Sequence, residues 1–208
     1  MYPYLSDDTT KEDRKPHDFY ETPEDTTFTL LKYLEQIHVL DKKLDRIWEP
    51  ACGDGKLAEV FRKEGYNINC TDKYKYNYIR NTSPETDFLL ADATNSTWII
   101  TNPPFTLAYE FIEHSIKLLT KARNYRGGVA LLLKSNFWHV KRNSKLKQPE
   151  VVAPLTWRPN FTQDHKSPVL DMAWSIWSTG LGVVNHPTHY VPLFKTIYYG
   201  GGKGGEMK

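Results

Sequence analysis

At 208 residues, with 39% hydrophobic and 25% charged residues, the chain has the length and composition of one soluble globular domain with a sizeable core. A formal net charge of +2 excludes a protein whose overall electrostatics drive polyanion binding, and two cysteines exclude a disulfide framework or a Cys-only zinc site. No apolar run reaches membrane-spanning length, and the polar, acidic opening "MYPYLSDDTTKEDRKPHD" is unlike a signal peptide, so a reducing, cytoplasmic setting is expected.

Residues 1–17 read as an irregular segment, residues 18–199 as a single α/β domain, and residues 200–208, "GGGKGGEMK", as a flexible, solvated tail. In chain order, "TPEDTTFTLLKYLEQI" (22–37) spaces Phe28, Leu31, Leu34 and Ile37 along one helix face. "DRIWEPA" (45–51) is a short strand, and "GKLAEVFRKEG" (55–65) is a helix closed by Gly65. "YNINCTD" (66–72) is a second strand. "TDFLLAD" (86–92) and "STWIITN" (96–102) are a third and a fourth, joined by a tight turn. "LAYEFIEHSIKLLTKA" (107–122) is an amphipathic helix, and "GGVALLLK" (127–134) is a strand apolar on both faces, as central parallel strands are. Alternation of strand and helix predicts a mostly parallel sheet with helices on both faces. "PVLDMAWSIWST" (168–179) alternates like an antiparallel strand. There is no internal repeat.

The chemistry concentrates at strand ends. "WEPACGDG" ends the first strand with Glu49, Pro50 and Ala51 and then places Gly53 and Gly55 before a helix, where glycines let backbone approach a ligand. A lone G-x-G is weak on its own. Asp72 ends the second strand, where an acid can accept from a ribose diol. Asp92 ends the expected third strand and Asn102 the fourth, so four strands are expected to deliver polar groups to one sheet edge. Cys52 and Cys70 read as small buried hydrophobes. The histidines show no ligand spacing, "HPTH" (186–189) reads as surface, and no metal site is expected.

Three motifs in order resemble one family. "EPACGDG" is similar to the [D/E]-P-x-x-G-x-G cofactor loop, and "NPPF" (102–105) to the [D/N/S]-P-P-[Y/F/W] tetrapeptide, of class I S-adenosylmethionine-dependent amino-methyltransferases of the DNA adenine-N6 type. "DFYETP" (18–23) resembles the family's upstream segment, and the likeness covers residues 18–135. It implies a Rossmann-like methyltransferase fold with a mostly parallel seven-stranded sheet and an antiparallel C-terminal strand. It implies S-adenosylmethionine as cofactor. Gly53 and Gly55 would let backbone pass its methionine moiety, with Glu49 at the amino end, Asp72 on the ribose, and Asp92 and Ala93 at the adenine. Phe19, Tyr20 and Thr22 would close the pocket from the other side. Asn102, Pro103, Pro104 and Phe105 would face the acceptor.

The tetrapeptide suits that chemistry. An exocyclic amine on adenine is a poor nucleophile because its lone pair is delocalised into the ring. Its two N–H groups must be held so that the nitrogen can pyramidalise toward an electrophilic methyl. The Asn102 side-chain oxygen is one acceptor, and the carbonyl of Pro103 is a rigidly aimed second. Phe105 offers a stacking face worth roughly 1–3 kcal/mol per base.

The acceptor is less legible. "KSNFWHVKRNSKLK" (134–147) mixes cations and aromatics without an acid, so Lys134, Asn136, Trp138, Lys141 and Arg142 are candidate contacts; an equal alternative is a solvated helix face. Arg158 and Phe161 of "LTWRPNFT" (155–162) are further candidates, and that segment resembles one in small phage-type adenine methyltransferases. If the chain is phage-encoded, the expected location is the host cytoplasm. DNA is favoured over RNA as partner. The 106 residues after Asn102 (208 minus 102) are mostly taken up by the fifth strand, its helix and the last sheet strands, and no separate target-recognition domain is expected in them. Recognition then falls to loops at 134–167 and 179–195, to a partner chain or a homodimer, or is absent. Alternative readings are an RNA adenine or protein glutamine methyltransferase, or a non-catalytic, methyltransferase-like nucleic-acid-binding subunit.

Overall fold

The structure is a computed structural model that describes residues 20–76, 78, 83–122, 126–161, 170–178 and 188–196. The expectations for the opening segment, for Phe19, for His186 and for the Gly-rich tail lie outside these residues.

Helix α1 (Glu24–Gln36) begins after Pro23, with Glu24 and Asp25 in its first turn where negative charge suits the helix dipole. Strand β1 (Arg46–Glu49) follows, then α2 (Lys56–Lys63), which ends before Gly65 at φ 87°. Strand β2 (Asn67–Asp72) is followed by the two-residue β3 (Ser83–Pro84). Strand β4 (Trp98–Thr101), α3 (Ala108–Lys121) and β5 (Gly128–Lys134) complete the alternating part. Strands β6 (Val151–Pro154), β7 (Met172–Ser178) and β8 (His189–Tyr190) close the sheet.

The sheet order is β3-β2-β1-β4-β5-β7-β6-β8. β1 pairs in parallel with β2 and β4, and β4 with β5. β7 runs antiparallel to both β5 and β6, while β8 is parallel to β6, so β7 alone points the other way. This is the expected α/β architecture, with eight strands where seven were expected, the two edge strands being only two residues long.

Alternate strand residues supply two apolar layers. On one face Ile47, Ile100, Ala130, Leu132 and Trp174 pack under α1 and α2; on the other Trp48, Ile99, Val129, Leu131 and Trp177 pack under α3. Burial on both faces is why β5 reads as continuously apolar.

Two expectations are corrected. Residues 86–92 are not a strand. The Asp87 carboxylate accepts from the Leu89 N–H (3.1 Å) and caps a single 3₁₀ turn, Phe88–Leu90, which leaves Leu90 exposed. The place beside β2 goes to β3. Second, residues 151–154 and 189–190, expected in loops, are β6 and β8. They are too short to show a period, and their strand state is fixed by pairing with β7 and with each other.

At the amino-terminal edge of the sheet Asp45 is buried. It accepts from Thr97 Oγ1 (2.9 Å), from the Asp41 N–H (2.8 Å) and from the Arg126 guanidinium (3.2 Å). Asp45→Ala is expected to destabilise the fold by about 2–3 kcal/mol in urea denaturation, because charge-assisted bonds are lost and their donors are stranded. Ligand binding at the opposite sheet edge should be unchanged.

Candidate functional site

The carboxyl ends of β1, β2 and β4 meet at one edge. After Glu49 the chain turns through Pro50 and Ala51, and the Cys52 N–H donates to the Thr71 carbonyl (3.1 Å). The Gly53 N–H donates to Asp72 Oδ2 (2.9 Å), and the Tyr74 N–H to Asp72 Oδ1 (2.9 Å), so two amides fix the Asp72 carboxylate. Gly53 and Gly55 hold φ of 49° and 78°, and a methyl group on Gly55 would collide with the Tyr78 ring. Gly55 directly precedes α2, and its carbonyl accepts from the Glu59 N–H (2.9 Å).

Glu49 is 2% exposed, and its Oε2 has no hydrogen-bond partner among the described residues. Burial pushes its carboxyl well above the usual carboxylate range; Cys70 and Asp72 add to this, against Arg62 and a backbone bond from Ala58. Glu49 is thus a desolvated acid with one oxygen unpartnered among the described residues, in the lining of a cavity.

Asn102 follows β4 directly. Its Nδ2 donates to the Tyr20 carbonyl (3.2 Å), which fixes the amide orientation because a carbonyl can face only the amino group. Asn102 Oδ1 is buried and unpartnered among the described residues. The Pro104 carbonyl accepts from the Leu107 N–H (2.9 Å) to start the 3₁₀ turn Phe105–Leu107; the Pro103 carbonyl has no such partner among the described residues. The Phe105 ring stacks on Tyr20 at 5.5 Å and 25°, and Lys134 Nζ lies 5.2 Å from its centroid.

Between these strand ends lies a cavity of about 360 Å³. Glu49, Gly53, Asp72, Tyr20, Thr22 and Asn102 line it, together with the apolar side chains of Phe88, Leu107 and Phe111.

No family model matches the chain, and no curated protein matches it. Solved structures do. A modification subunit of a putative type I restriction enzyme from Vibrio vulnificus is similar at TM-score 0.51 and 12% identity, covering 88% of this chain and 48% of that one. A putative RNA methyltransferase from Pyrococcus horikoshii is similar at TM-score 0.52 and 13% identity, covering 80% and 94%. The chain has the Rossmann-like methyltransferase fold. A putative hemolysin from Lactococcus lactis shares it at TM-score 0.52 and 10% identity, over 84% and 94% of the two chains, so the likeness carries the fold and not an activity. The chain spans about half the length of the Vibrio subunit.

Within this methyltransferase fold, Tyr20, Thr22, Glu49, Pro50, Ala51, Gly53, Asp72, Asn102 and Pro104 come together on the cavity. Gly55, Pro103 and Phe105 are not among its lining residues. Asp92 and Ala93 do not reach it. Both are exposed, the Asp92 carbonyl takes Lys121 Nζ (2.7 Å), and with no strand at 86–92 nothing carries Asp92 to the sheet edge.

Asp87 and Phe88, earlier in the same segment, do line the cavity. Asp87 Oδ2 pairs with Lys73 Nζ (2.9 Å), and the Lys73 ammonium holds the Asp87 carboxyl below the usual carboxylate range. Phe88 is buried between Phe111 (4.8 Å) and Trp48 (5.2 Å). An acid followed by an aromatic at the start of "DFLLAD" was the available signal, hidden by reading the segment as a strand. Lys73, Tyr74 and Tyr76 also line the cavity and carried no motif.

The expected acceptor contacts disperse. Lys134 is at Phe105, and Phe161 is buried edge-on to Tyr20 (6.1 Å). Trp138 donates to Ser175 Oγ (3.2 Å) and packs on Trp177, so its ring belongs to the body of the protein. Arg142 is held by Glu110 (2.6 Å) and the Tyr109 ring, and Arg158 by Asp171 (2.7 Å). Asn136 and Lys141 are exposed. The segment 134–147 forms two 3₁₀ turns, Phe137–His139 and Lys141–Lys145, and not one helix.

Glu49 gives a pH prediction. A carboxyl whose folded pKa is raised costs stability as pH rises from its unfolded value, about 4.5, toward its folded one. Glu49→Gln removes that cost. The melting temperature of the variant should therefore gain on wild type as pH rises above about 4.5, and the two should converge at lower pH.

Proposed function

We propose that the chain is an S-adenosylmethionine-dependent methyltransferase acting on the exocyclic N6 amine of adenine in DNA, with the base flipped or unpaired. The observation that carries this reading is Asn102. Its amino group is tied to the Tyr20 carbonyl, and its Oδ1 is buried, aimed and unpartnered among the described residues. A desolvated acceptor held in advance is what a nitrogen developing positive charge needs. The Pro103 carbonyl supplies the second acceptor, rigid and outside the 3₁₀ turn.

The cavity fits the cofactor. Its volume of about 360 Å³ suits a nucleoside-sized ligand. The orphaned Glu49 Oε2 suits an ammonium, Asp72 lies where ribose hydroxyls would be, and Phe88, Leu107 and Phe111 suit a purine face. When bound, S-adenosylmethionine supplies the electrophilic methyl. Asn102 and Pro103 orient the amine toward it, and Phe105 stacks the base. Asparagine leaves no charged base at this position, so polarisation of the amine precedes loss of its proton. A duplex base must leave its stack at a cost of a few kcal/mol, which favours unpaired adenines.

S-adenosylhomocysteine is expected to raise the melting temperature by mass action, and Asp72→Ala to weaken its binding. No binding by calorimetry at saturating ligand would leave the fold without this function. With tritiated cofactor offered separate DNA, RNA and protein pools, label should enter DNA adenine; label in RNA or protein alone would redirect the acceptor assignment.

Asn102→Ala should lower turnover on an adenine-containing oligonucleotide roughly 100- to 1000-fold, with cofactor affinity near normal. Asn102→Asp keeps an acceptor in place and should retain measurable activity. Single-turnover assays in which Ala and wild type react equally fast would remove the amine-polarising role.

A further inference from the structure

We infer that Lys134 makes the acceptor site select an adenine carried on a phosphate backbone over the free nucleoside. Its ammonium covers the face of Phe105 that the base must take, and gives it up readily only where a phosphate can receive the charge. The inference rests on the adenine-acceptor reading above.

Phe105 has two faces. Tyr20 stacks on one at 5.5 Å and an interplanar angle of 25°. Tyr20 is itself braced edge-on by Phe161, which is 7% exposed, and its carbonyl holds Asn102. That face is built in. Lys134 Nζ lies 5.2 Å from the ring centroid, and with Tyr20 on one face its inferred place is the other, the face left for an acceptor. A cation over an aromatic ring at a partly exposed site corresponds to about a two- to five-fold effect in affinity. An incoming base therefore exchanges a cation–π contact for a stack and strands an ammonium.

Lys134 has no carboxylate within salt-bridge distance among the described residues. Arg142 and Arg158, by contrast, are held by Glu110 and Asp171. Their charges are already answered; that of Lys134 is not. Lys134 is the last residue of β5, on a flexible stem, so its head can swing off the ring without moving the strand. Lys141 and Lys145 are also exposed and without ion pairs among the described residues. A strand whose base enters over Phe105 thus presents its phosphate to Lys134 as the base displaces it. Free adenosine displaces the same ammonium and offers nothing in return.

The test compares wild type, Lys134→Met, which keeps an apolar stem of similar length, and Lys134→Arg, which keeps the charge. Binding of a labelled single-stranded oligodeoxynucleotide with one adenine, and of the same strand with an abasic site, is measured by fluorescence anisotropy. Adenosine binding is measured by calorimetry with saturating S-adenosylhomocysteine filling the cofactor cavity. For Lys134→Met, the oligonucleotide should bind roughly 10-fold more weakly at low salt. The slope of log affinity against log salt between about 50 and 200 mM should become shallower by about 0.7, the loss of one single-strand phosphate contact. Adenosine should bind about two- to five-fold more tightly, because the ring face is uncovered. Lys134→Arg should stay near wild type on both ligands. The opposed shifts are what a merely structural lysine would not give. If both ligands weaken together, or neither changes, the inference is overturned. Equal wild-type affinity for the adenine and abasic strands would overturn the adenine reading itself, and that comparison is independent of the Lys134 variants.

Discussion

Parallel pairing of β1 with β2 and β4 is the constraint on which the rest depends. Glu49 stands opposite Cys70, and β2 runs on two residues to Asp72; β4 carries the chain to Thr101 on the other flank. Because the strands run the same way, their carboxyl ends converge, and every connection must return across a face of the sheet. That return places α2 over one face and α3 over the other, and buries the central strands on both. It also leaves the amides and carbonyls beyond the strand ends without ladder partners. The loop after β1 resolves this by donating from Gly53 to the Asp72 carboxylate, which ties two strand ends together at the mouth of the cavity.

The second organising feature is Tyr20. Its carbonyl fixes the Asn102 amide across 82 positions of sequence, and its ring occupies one face of Phe105. A single residue, four positions before α1, thereby sets the direction of the Asn102 oxygen and covers one face of the Phe105 ring. Preorganisation of this kind matters because a dipole already aimed needs no rearrangement when charge develops beside it. The stack also explains why Phe105 is only half-buried yet has one side unavailable.

Three of the acids that line the cavity stand in three electrostatic situations. Glu49 is desolvated and favoured as the neutral acid. Asp72 is gripped by two backbone amides. Asp87 is ion-paired with Lys73 and kept ionised. Identical or near-identical side chains thus offer a conditional acceptor, a fixed acceptor and a neutralised one. Outside the cavity the cations are divided in the same way, with Arg142 and Arg158 paired and Lys134 resting on an aromatic ring.

The parts that rest on local spacing were legible in the chain itself. The helix at 24–36, the strands at 46–49, 67–72, 98–101 and 128–134, the glycine turn at 53–55 and the polar ends Glu49, Asp72 and Asn102 are where the pattern puts them, because helix period, strand burial and turn chemistry are short-range. Only the tertiary structure decided the rest. "TDFLLAD" has the apolar content of a strand, but Asp87 capping a 3₁₀ turn outweighs it, so Asp87 and Phe88 reach the cavity and Asp92 does not. β6 and β8 exist through pairing with distant partners, which no short window contains. Trp138 and Arg142 have the composition of a nucleic-acid contact, yet Ser175, Trp177, Glu110 and Tyr109, all more than 30 residues away, take their polar and aromatic surfaces. A residue type states what a side chain can bond; the partner that arrives from elsewhere in the chain decides whether that capacity is still free.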